Sequence, residues 1–308
     1  MSNPSVAIII PIHNRKYHIA KCLDNLLLNV YDNYQIIIVD DGSTDGTSEF
    51  VLQNYSIIKI IYGDGNLWWA GAINKGMRYA VENNFDYILT YNDDQICDRN
   101  FLVELVKKSS DSTILSSLIL YQDKQDIIAS SGILFDRNKG RTRSFCNETK
   151  LESSFVNPVE VDIVPGYSVL IPVKCIEQIG YYDNENFPQI NMEVEYCLRA
   201  KKNGVSILTV PTSIVWNDRS DKDEDPISTN KIIKRFKWFF GNVKSDLNYK
   251  QFLALKNVIL KNLEGNTFEF KILYYSRFII KLFFKSLLIK KHRKIVTNKL
   301  NLYNNFWA

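Results

Sequence analysis

The stretch 36–47, IIIVDDGSTDGT, runs from four apolar residues through two adjacent aspartates into a series of turn-forming residues. The apolar run predicts a buried strand, and the turn formers predict a tight loop before a helix. The alternation continues along the chain: further Ile- and Val-rich runs lie at 6–10, 57–61, 87–91 and 113–120, and segments with helical spacing lie at 16–29, 47–55 and 70–83. This order predicts an α/β fold with a mostly parallel central sheet that helices cover on both faces.

Acidic pairs follow two of the predicted strands. Asp40 and Asp41 end the second strand, and Asp93 and Asp94 follow the fourth. Because ligands of such sheets bind at the carboxyl ends of the strands, we expect both pairs at one edge. For the first pair, a purely structural role is the alternative, since aspartate is also a common helix cap.

The net charge of +4 is divided unevenly along the chain. Residues 1–226 carry 21 basic and 31 acidic side chains, whereas residues 227–308 carry 17 basic and 3 acidic ones. The acidic part suits a domain that holds metal ions in carboxylates, and the basic part suits an anionic surface. The polar segment 218–226, DRSDKDEDP, marks the predicted boundary between an α/β domain at 1–220 and a helical, basic region at 221–308.

The basic region contains amphipathic helical patterns. Within 270–294, Arg277, Lys281 and Lys285 recur every four residues on a helix that is otherwise broadly apolar. Such a helix packs into a protein groove, as in a homo-oligomer, or lies in a membrane interface with its lysines at the headgroups. The excess of positive charge favours a membrane surface bound through 227–294. Nucleic acid is a weaker alternative, because no recognisable nucleic-acid motif accompanies these residues.

Cysteine usage and hydropathy indicate a compartment. The five cysteines have no CxxC pair or metal-ligand spacing, which is typical of reduced thiols in a cytoplasmic protein. The first strand follows MSNPS directly, without the pattern of a signal peptide, and we find no bilayer-spanning apolar run. The sequence therefore predicts a cytoplasmic protein that is peripheral at the inner face of the cell membrane.

Seven segments between residues 5 and 217 carry a family resemblance. They are IIIPIHNR at 8–15, VDDGSTDGT at 39–47, GDGNLWWAGAINKGM at 63–77, LTYNDDQ at 89–95, PGYSVLIP at 165–172, EVEYCLRAKKNG at 193–204 and PTSIVWN at 211–217. In order and spacing they resemble the inverting family 2 glycosyltransferases of the GT-A fold. The NLWWAGAIN block is most similar to the branch with bacterial rhamnosyltransferases and related surface-polysaccharide enzymes.

The resemblance implies a reaction and its partners. A sugar would pass from a nucleoside-diphosphate sugar to an acceptor hydroxyl with inversion, with Mn²⁺ or Mg²⁺ as cofactor. The acceptor would be a glycan or a lipid-linked oligosaccharide, and the domain at 1–220 would be catalytic. Two alternatives remain: a nucleotidyltransferase that makes nucleotide sugars, and a non-catalytic scaffold of glycosyltransferase type. The first would be expected to have a glycine-rich phosphate loop after its first strand, and IPIHNRKYH contains no glycine.

Nucleotide and donor contacts are also assigned by the resemblance. Pro11, His13 and Asp41 would contact the nucleobase and ribose, while Gly42 keeps the backbone open there. Asp40 would instead cap the following helix.

Further donor contacts are implied for the block at 63–77. Asn66 and Asn74 would lie near the nucleotide or donor sugar, and one of Trp68 and Trp69 would form a wall for a ring. For both tryptophans, packing in the core under the loop is the alternative. Gly166 would lie under the donor sugar or acceptor, with a structural turn as the alternative.

Metal binding is assigned to NDDQ. Asn92, Asp93 and Asp94 align with the D-x-D-like element of the family, so Asp94 would be the direct ligand and Asp93 would face the ribose or a metal-bound water. Mg²⁺ and Mn²⁺ also bind the oxygens of a diphosphate, so one or two carboxylates of the protein are enough to hold the ion. Asn217 stands where many relatives have a histidine, and its amide oxygen is a weaker ligand.

The general base is assigned to the start of a helix predicted over 192–203. Glu193 occupies the position at which the family carries an aspartate, one methylene shorter, and Glu195 is the fallback. The alternative is that both acids only favour the helix N-terminus electrostatically.

Overall fold

The computed structural model describes residues 3–217, 244 and 248–287; the side chains at 277 and 280–287 are outside the description. The chain divides into two compact units, one formed by Met1–Ile133 with Phe145–Ser220 and the other by Leu134–Ser144 with Asp221–Ala308. The predicted linker at 218–226 lies outside the described residues, so the division at 220 and 221 stays a prediction. The assignment of 134–144 to the second unit was not predicted.

Strands and helices alternate through the first half of the chain. The strands are β1 (Val6–Ile12), β2 (Tyr34–Asp40), β3 (Lys59–Tyr62), β4 (Tyr87–Thr90), β5 (Gln95–Cys97), β6 (Thr113–Tyr121), β7 (Ile128–Ser130), β8 (Ile133–Asp136), β9 (Arg141–Ser144), β10 (Val159–Glu160), β11 (Val169–Pro172) and β12 (Ser206–Asn217). The helices are α1 (Lys16–Leu26), α2 (Thr47–Asn54), α3 (Trp68–Glu82), α4 (Phe101–Val106), α5 (Val173–Ile179), α6 (Met192–Lys202), α7 (Tyr249–Lys261) and α8 (Thr267–Leu287).

A single central sheet organises the first unit. Its strand order is β10-β12-β6-β11-β4-β1-β2-β3, with β5 paired to β12 and β7 paired to β6. The neighbours β4, β1, β2 and β3 are parallel, as predicted, but β11 runs antiparallel between β4 and β6. The described chain has no helix between α4 and α5. It therefore lacks there the helical crossover that usually joins parallel strands, and the sheet is mixed beyond β4.

Burial of both faces of β1 explains why its sequence is a continuous apolar run. Ile8, Ile9 and Ile10 are all fully buried. Ile8 and Ile10 belong to the core cluster that α1, α2 and α4 cover, whereas Ile9 lies against Gly76 of α3 on the other face. Burial on both faces is expected for a central parallel strand.

The last strand of the sheet is longer than predicted. The sequence predicts a strand over Val205–Val210, before Pro211, yet β12 spans Ser206–Asn217. A shift in register between Val210 and Ile214 accommodates the interruption, after which pairing with β6 resumes. As a consequence, Asn217 lies at the carboxyl end of β12.

The second unit combines a hairpin with two helices. Strands β8 and β9 form a two-stranded sheet, and the N–H of Glu264, between α7 and α8, donates to the carbonyl of Arg137 at 2.8 Å. Phe252 of α7 packs against Tyr274 and Phe278 of α8, with ring centroids 4.6 and 4.0 Å apart. Within the described residues, every helix is too short or too polar to cross a bilayer.

Candidate active site

Four loops meet at the carboxyl edge of the parallel strands. The register pairs Ile12 with Asp40 and Asp40 with Tyr62, so β1, β2 and β3 end side by side. The N–H of Tyr91, just after β4, donates to Ile9 at 2.9 Å. The loops that carry the predicted nucleotide and metal residues therefore begin at one edge of the sheet.

Asp40 stabilises the loop that follows β2. It is buried, and its carboxylate accepts hydrogen bonds from the N–H of Ser43 at 2.9 Å and from the hydroxyl of Ser48 in α2. The helix N-cap itself is Gly46. Asp40 thus fastens the loop to the first turn of α2, a structural role close to the predicted cap.

Asp41 organises a second loop. Its carboxylate accepts three backbone hydrogen bonds, from Gly65 at 2.8 Å, Leu67 at 2.9 Å and Trp68 at 3.0 Å. Gly42 has a φ of +72°, and a Cβ there would approach the Gly65 backbone to 3.0 Å. The pair therefore shapes the loop before α3; contact between Asp41 and a nucleotide stays a prediction.

His13 is exposed at this edge, beside Pro11 at the end of β1. Its Nδ1 lies 2.6 Å from the carbonyl oxygen of Asp41, and its Nε2 lies 3.0 Å from the Asn14 amide nitrogen. A neutral ring that donates from Nδ1 and accepts at Nε2 satisfies both contacts. The imidazole therefore has a defined orientation at the edge assigned to the nucleotide.

The two adjacent tryptophans have different environments. Trp68 is 40% exposed and has a φ of +56°, a strained conformation that the N–H bond to Asp41 holds. Trp69 is partly buried, and its indole N–H donates to the side-chain oxygen of Asn92 at 2.9 Å. Asn66 is exposed in the same loop. Trp68 and Asn66 are therefore accessible to a ligand, whereas Trp69 packs inside the site.

Asn74 has a structural role. It is buried; its amide donates to the carbonyl of Tyr182 at 2.8 Å and to the Asn184 side chain at 3.1 Å, and it accepts from the N–H of Tyr182 at 3.0 Å. These bonds fix the loop before α6 to α3. Because its polar atoms are occupied in this way, we do not include Asn74 in the proposed donor site.

Asp93 forms an ion pair with Arg15 at the end of β1. Burial raises the pKa of the Asp93 carboxyl, and the Arg15 guanidinium opposes that shift by favouring the charged form. The pair links the end of β4 to the loop after β1. Asp93 is therefore engaged by a cation of the chain itself.

Strand pairing places Asn217 at the start of β5, next to the loop that carries Asp94. Asn217 is the register partner of Gln95, the residue that follows Asp94. The side-chain Oδ1 of Asn217 is buried, and no described residue donates a hydrogen bond to it. A buried oxygen without a donor fits a hard cation. No cluster of three or more His, Cys, Asp or Glu suited to a metal occurs among the described residues, so such an ion would need oxygens from its substrate.

Glu193 and Glu195 have opposite environments at the start of α6. Glu195 forms a bidentate ion pair with Arg199, at 2.7 and 2.8 Å, and Arg199 in turn donates to the carbonyls of Ile179 and Tyr181. The Oε2 of Glu193 is buried and accepts no hydrogen bond from a described residue. Burial raises the pKa of the Glu193 carboxyl. Glu193 is thus the acid of this helix that has a raised pKa and a buried carboxylate oxygen without a donor among the described residues.

Gly166 lies between the tryptophan loop and α6. A Cβ at this position would approach the Trp69 ring to 3.1 Å and the Met192 methyl to 3.2 Å, so little space remains for a larger residue. Its glycine identity is explained by this protein packing. The predicted contact of Gly166 with a sugar stays a prediction.

A family model described as glycosyl transferase family 2 matches residues 7–157. The chain carries a family 2 glycosyltransferase domain. The matched range includes the edge formed by β1 to β4, with Asp41 and Asp94, and it ends before Glu193 and Asn217. The resemblance inferred from the seven segments is confirmed at the level of the family.

Curated relatives have related descriptions. The chain is 27% identical over 193 residues to an uncharacterized glycosyltransferase of Rickettsia felis, covering 60% of this chain and 29% of that protein. It is 27% identical over 191 residues to the low-salt glycan biosynthesis hexosyltransferase Agl10 of Haloferax volcanii, covering 60% of this chain and 59% of that protein. The chain thus spans less than two thirds of the length of either relative.

Solved structures support the fold. The crystal structure of GalNAc-T7 with UDP, GalNAc and Mn²⁺ superposes with a TM-score of 0.60 at 13% identity, over 87% of this chain and 56% of that chain. Likeness at this identity bears on the fold alone. The predicted GT-A fold is confirmed.

Two residues of the site, Arg15 and Asn92, were given no individual role from the sequence. Both lie inside the quoted segments IIIPIHNR and LTYNDDQ, next to residues that were assigned roles. Arg15 could have been recognised as a partner of an acidic residue, because it is a basic residue at the same predicted edge as the acidic pairs. No comparable signal pointed to the bond between Asn92 and Trp69, because 23 residues separate them.

Proposed function

We propose that this protein transfers a sugar from a nucleoside-diphosphate sugar to an acceptor hydroxyl, with inversion, in the synthesis of a surface polysaccharide. The observation that carries the proposal is the convergence of the loops after β1, β2, β3 and β4 at one sheet edge, where strand pairing places Asn217 opposite the residue that follows Asp94. Membership of family 2 supports the reaction class. The glycan biosynthesis description of the Haloferax relative supports the polysaccharide role.

The nucleotide would bind along the ends of β1 and β2. Pro11 and the oriented imidazole of His13 would contact the nucleobase, and Asp41 and Gly42 would bring the backbone of the loop to the ribose. The exposed Trp68 would offer its ring as a wall, with Asn66 beside it and Gly166 nearer the sugar. Aromatic faces with a few placed polar groups are typical of small-ligand sites.

The divalent cation would be held by Asp94, with Asn217 as a further oxygen ligand and Asp93 facing the ribose or a bound water. Mn²⁺ or Mg²⁺ would supply charge neutralisation for the departing diphosphate. The Mn²⁺ in the GalNAc-T7 structure supports a metal requirement. Arg15 pairs with Asp93, and we assign the ion to Asp94.

Glu193 would act as the general base. Its carboxylate accepts the proton of the acceptor hydroxyl while that oxygen attacks the anomeric carbon, and the bond to the diphosphate breaks on the opposite face. The raised pKa of Glu193 suits a base, since it brings proton affinity closer to the working pH. No covalent bond between sugar and protein is required, and Glu195 is the weaker candidate because Arg199 occupies its carboxylate.

A donor screen tests this proposal. The protein is incubated with individual nucleotide sugars, with Mn²⁺ or with EDTA, and both nucleoside diphosphate and pyrophosphate are measured. We expect nucleoside diphosphate from one donor class, only with the metal present. Release of pyrophosphate would instead support a nucleotidyltransferase, and tight nucleotide binding without turnover would support a non-catalytic scaffold; either result would overturn the proposal.

The acceptor would be a glycan or lipid-linked oligosaccharide, presented at the inner face of the cell membrane. The described part of α8 supports a membrane contact, because Phe268, Ile272, Tyr275 and Ile279 are exposed at spacings that align them on one helix face. Lys271 is exposed nearby, and the Lys256 ammonium lies 3.2 Å from the Tyr275 hydroxyl. An apolar stripe flanked by lysines fits an anionic bilayer surface. The stripe predicted from Arg277, Lys281 and Lys285 lies outside the described side chains.

Vesicle sedimentation tests the membrane contact. Replacing both Phe268 and Ile279 with glutamate should reduce binding to vesicles containing phosphatidylglycerol by about tenfold or more, since each change removes an apolar group from the interface. The exposed Ile57 of the first unit provides the matched control, Ile57→Glu, which should bind normally. Unchanged binding of the double variant, or loss of a homo-oligomer without vesicles, would contradict the membrane assignment.

A further inference from the structure

We propose that Trp69 is a positioning residue that sets the geometry between the metal-binding loop and the helix of the general base. This inference rests on the proposed function. It gives Trp69 a role different from a wall for the donor ring. Its basis is that the backbone and ring of Trp69 contact three separate parts of the site.

The first contact is with the metal-binding loop. The indole N–H donates to the side-chain oxygen of Asn92, two residues before Asp94, at 2.9 Å. Asn92 is fixed in two other ways: its N–H donates to the Gln95 side chain at 3.1 Å, and its carbonyl accepts a weak bond from the Cys22 thiol at 3.6 Å. The indole hydrogen bond is therefore one of three contacts that fix the position of Asn92. Asn92 in turn begins the segment that carries Asp93 and Asp94.

The second contact is with Gly166, whose other close neighbour is Met192, the first residue of α6. The edge of the Trp69 ring lies so close to Gly166 that a Cβ there would come within 3.1 Å, and the Met192 methyl borders the same space. Met192 immediately precedes Glu193. Movement of the ring would therefore be transmitted to the residue beside the base.

The third contact is with the loop before α6, which in turn packs against that helix. The backbone N–H of Trp69 donates to the Gln189 side chain at 3.1 Å. Its ring meets Tyr182 edge-on at 5.6 Å, and Tyr182 stacks on Tyr196 of α6 at 4.3 Å. Tyr196 is one helical turn after Glu193, so the aromatic series supports the helix from beneath its first turn.

These contacts hold the indole at its N–H and at the edge of its six-membered ring. Its N–H is bonded to Asn92, and its six-membered ring faces Gly166. Trp68, by contrast, remains accessible. The two neighbouring tryptophans thus divide two tasks, ligand contact for Trp68 and alignment for Trp69.

Steady-state kinetics of Trp69→Phe, Asn92→Ala and the double variant test the inference. Trp69→Phe removes the N–H and keeps a ring, and Asn92→Ala removes the acceptor and keeps the whole indole. Each should lower kcat by about 10- to 100-fold, because a misplacement of ~1 Å between reacting groups costs rates of that order. The KM for the donor should change by less than about threefold, because neither group is assigned a contact with the donor in this scheme.

The double variant distinguishes positioning from two separate defects. If the N–H and the acceptor act through one bond, the double variant should be no slower than the slower single variant. Tyr31→Phe is the matched control, since it likewise removes an aromatic donor and keeps a ring, here the hydroxyl that donates to the carbonyl of Pro4 before β1 begins. It should retain kcat within about twofold, in line with a substitution away from the reacting groups.

Each outcome has a defined meaning. A rise in donor KM with unchanged kcat would assign Trp69 to the donor wall and overturn the inference. Additive losses in the double variant, or wild-type kcat in Asn92→Ala, would also overturn it, even if Trp69→Phe failed to fold. Absence of transfer by the wild-type protein with every donor would instead refute the proposed function on which the inference rests.

Discussion

Replacing Glu193 with glutamine should lower kcat by about 10²- to 10⁴-fold, the usual contribution of a positioned general base. Glutamine preserves the size of the side chain but cannot accept the acceptor proton. Binding of the donor, measured by calorimetry with Mn²⁺ present, should remain within about threefold of wild type, since the base is assigned to the acceptor. Glu177→Gln, on the exposed surface of α5, is the matched control and should leave kcat unchanged.

The pH dependence of kcat tests the role of Glu193 as the base in a second way. Burial raises the pKa of Glu193, so its active carboxylate forms at higher pH than an exposed glutamate would, and kcat should rise with pH through that raised value. The Glu193→Gln variant should lose this step of the profile. Wild-type turnover in Glu193→Gln would exclude Glu193 as the base.

The same carboxyl has a consequence for stability. A raised folded-state pKa means that the charged form is less stable in the folded protein than in the unfolded chain. Ionisation of Glu193 therefore reduces the free energy of unfolding as pH rises from the unfolded pKa through the folded value. Above this window, Glu193→Gln should be at least as stable as wild type in urea, so that loss of activity cannot be attributed to loss of fold.

Replacing Asp94 with alanine should lower kcat by about 10³-fold or more, because a metal-bound diphosphate loses several kcal/mol of charge stabilisation when its ion is lost. Titration of Mn²⁺ by calorimetry in the presence of nucleoside diphosphate should show greatly weakened binding. Circular dichroism should remain that of the wild type.

The control for Asp94 is Asp111→Asn, which removes an exposed carboxylate paired with Lys174. Exposed ion pairs contribute little, so both kcat and Mn²⁺ affinity should stay within about twofold of wild type. Unchanged Mn²⁺ binding by Asp94→Ala would show that the cation is held elsewhere.

The sequence predicted the first half of the fold well because its signals are local. The strands at 6–10 and 35–39 were recognised from continuous apolar runs, and both are buried on two faces as such runs imply. Because parallel strands end at one edge, the position of the acidic pairs followed from the strand order. The mixed half of the sheet was not predicted, since strand direction there depends on connections without helices.

Side-chain roles were less predictable because they depend on contacts between distant residues. Asn74 was assigned to the donor, yet its amide binds Tyr182, 108 residues further along the chain. The sequence likewise could not distinguish Trp68 from Trp69, which differ only in what each packs against. Glu195 similarly resembled a second candidate base until its ion pair with Arg199 was seen.

A crystal structure of the protein with Mn²⁺ and an unreactive donor analogue is the most direct test of the central claim. The proposed mechanism predicts Mn²⁺ bound to a carboxylate oxygen of Asp94, beside the diphosphate of the donor. It also predicts the Glu193 carboxylate on the opposite side of the anomeric carbon from the diphosphate. Mn²⁺ bound away from Asp94, or a donor whose anomeric carbon does not face Glu193, would contradict it.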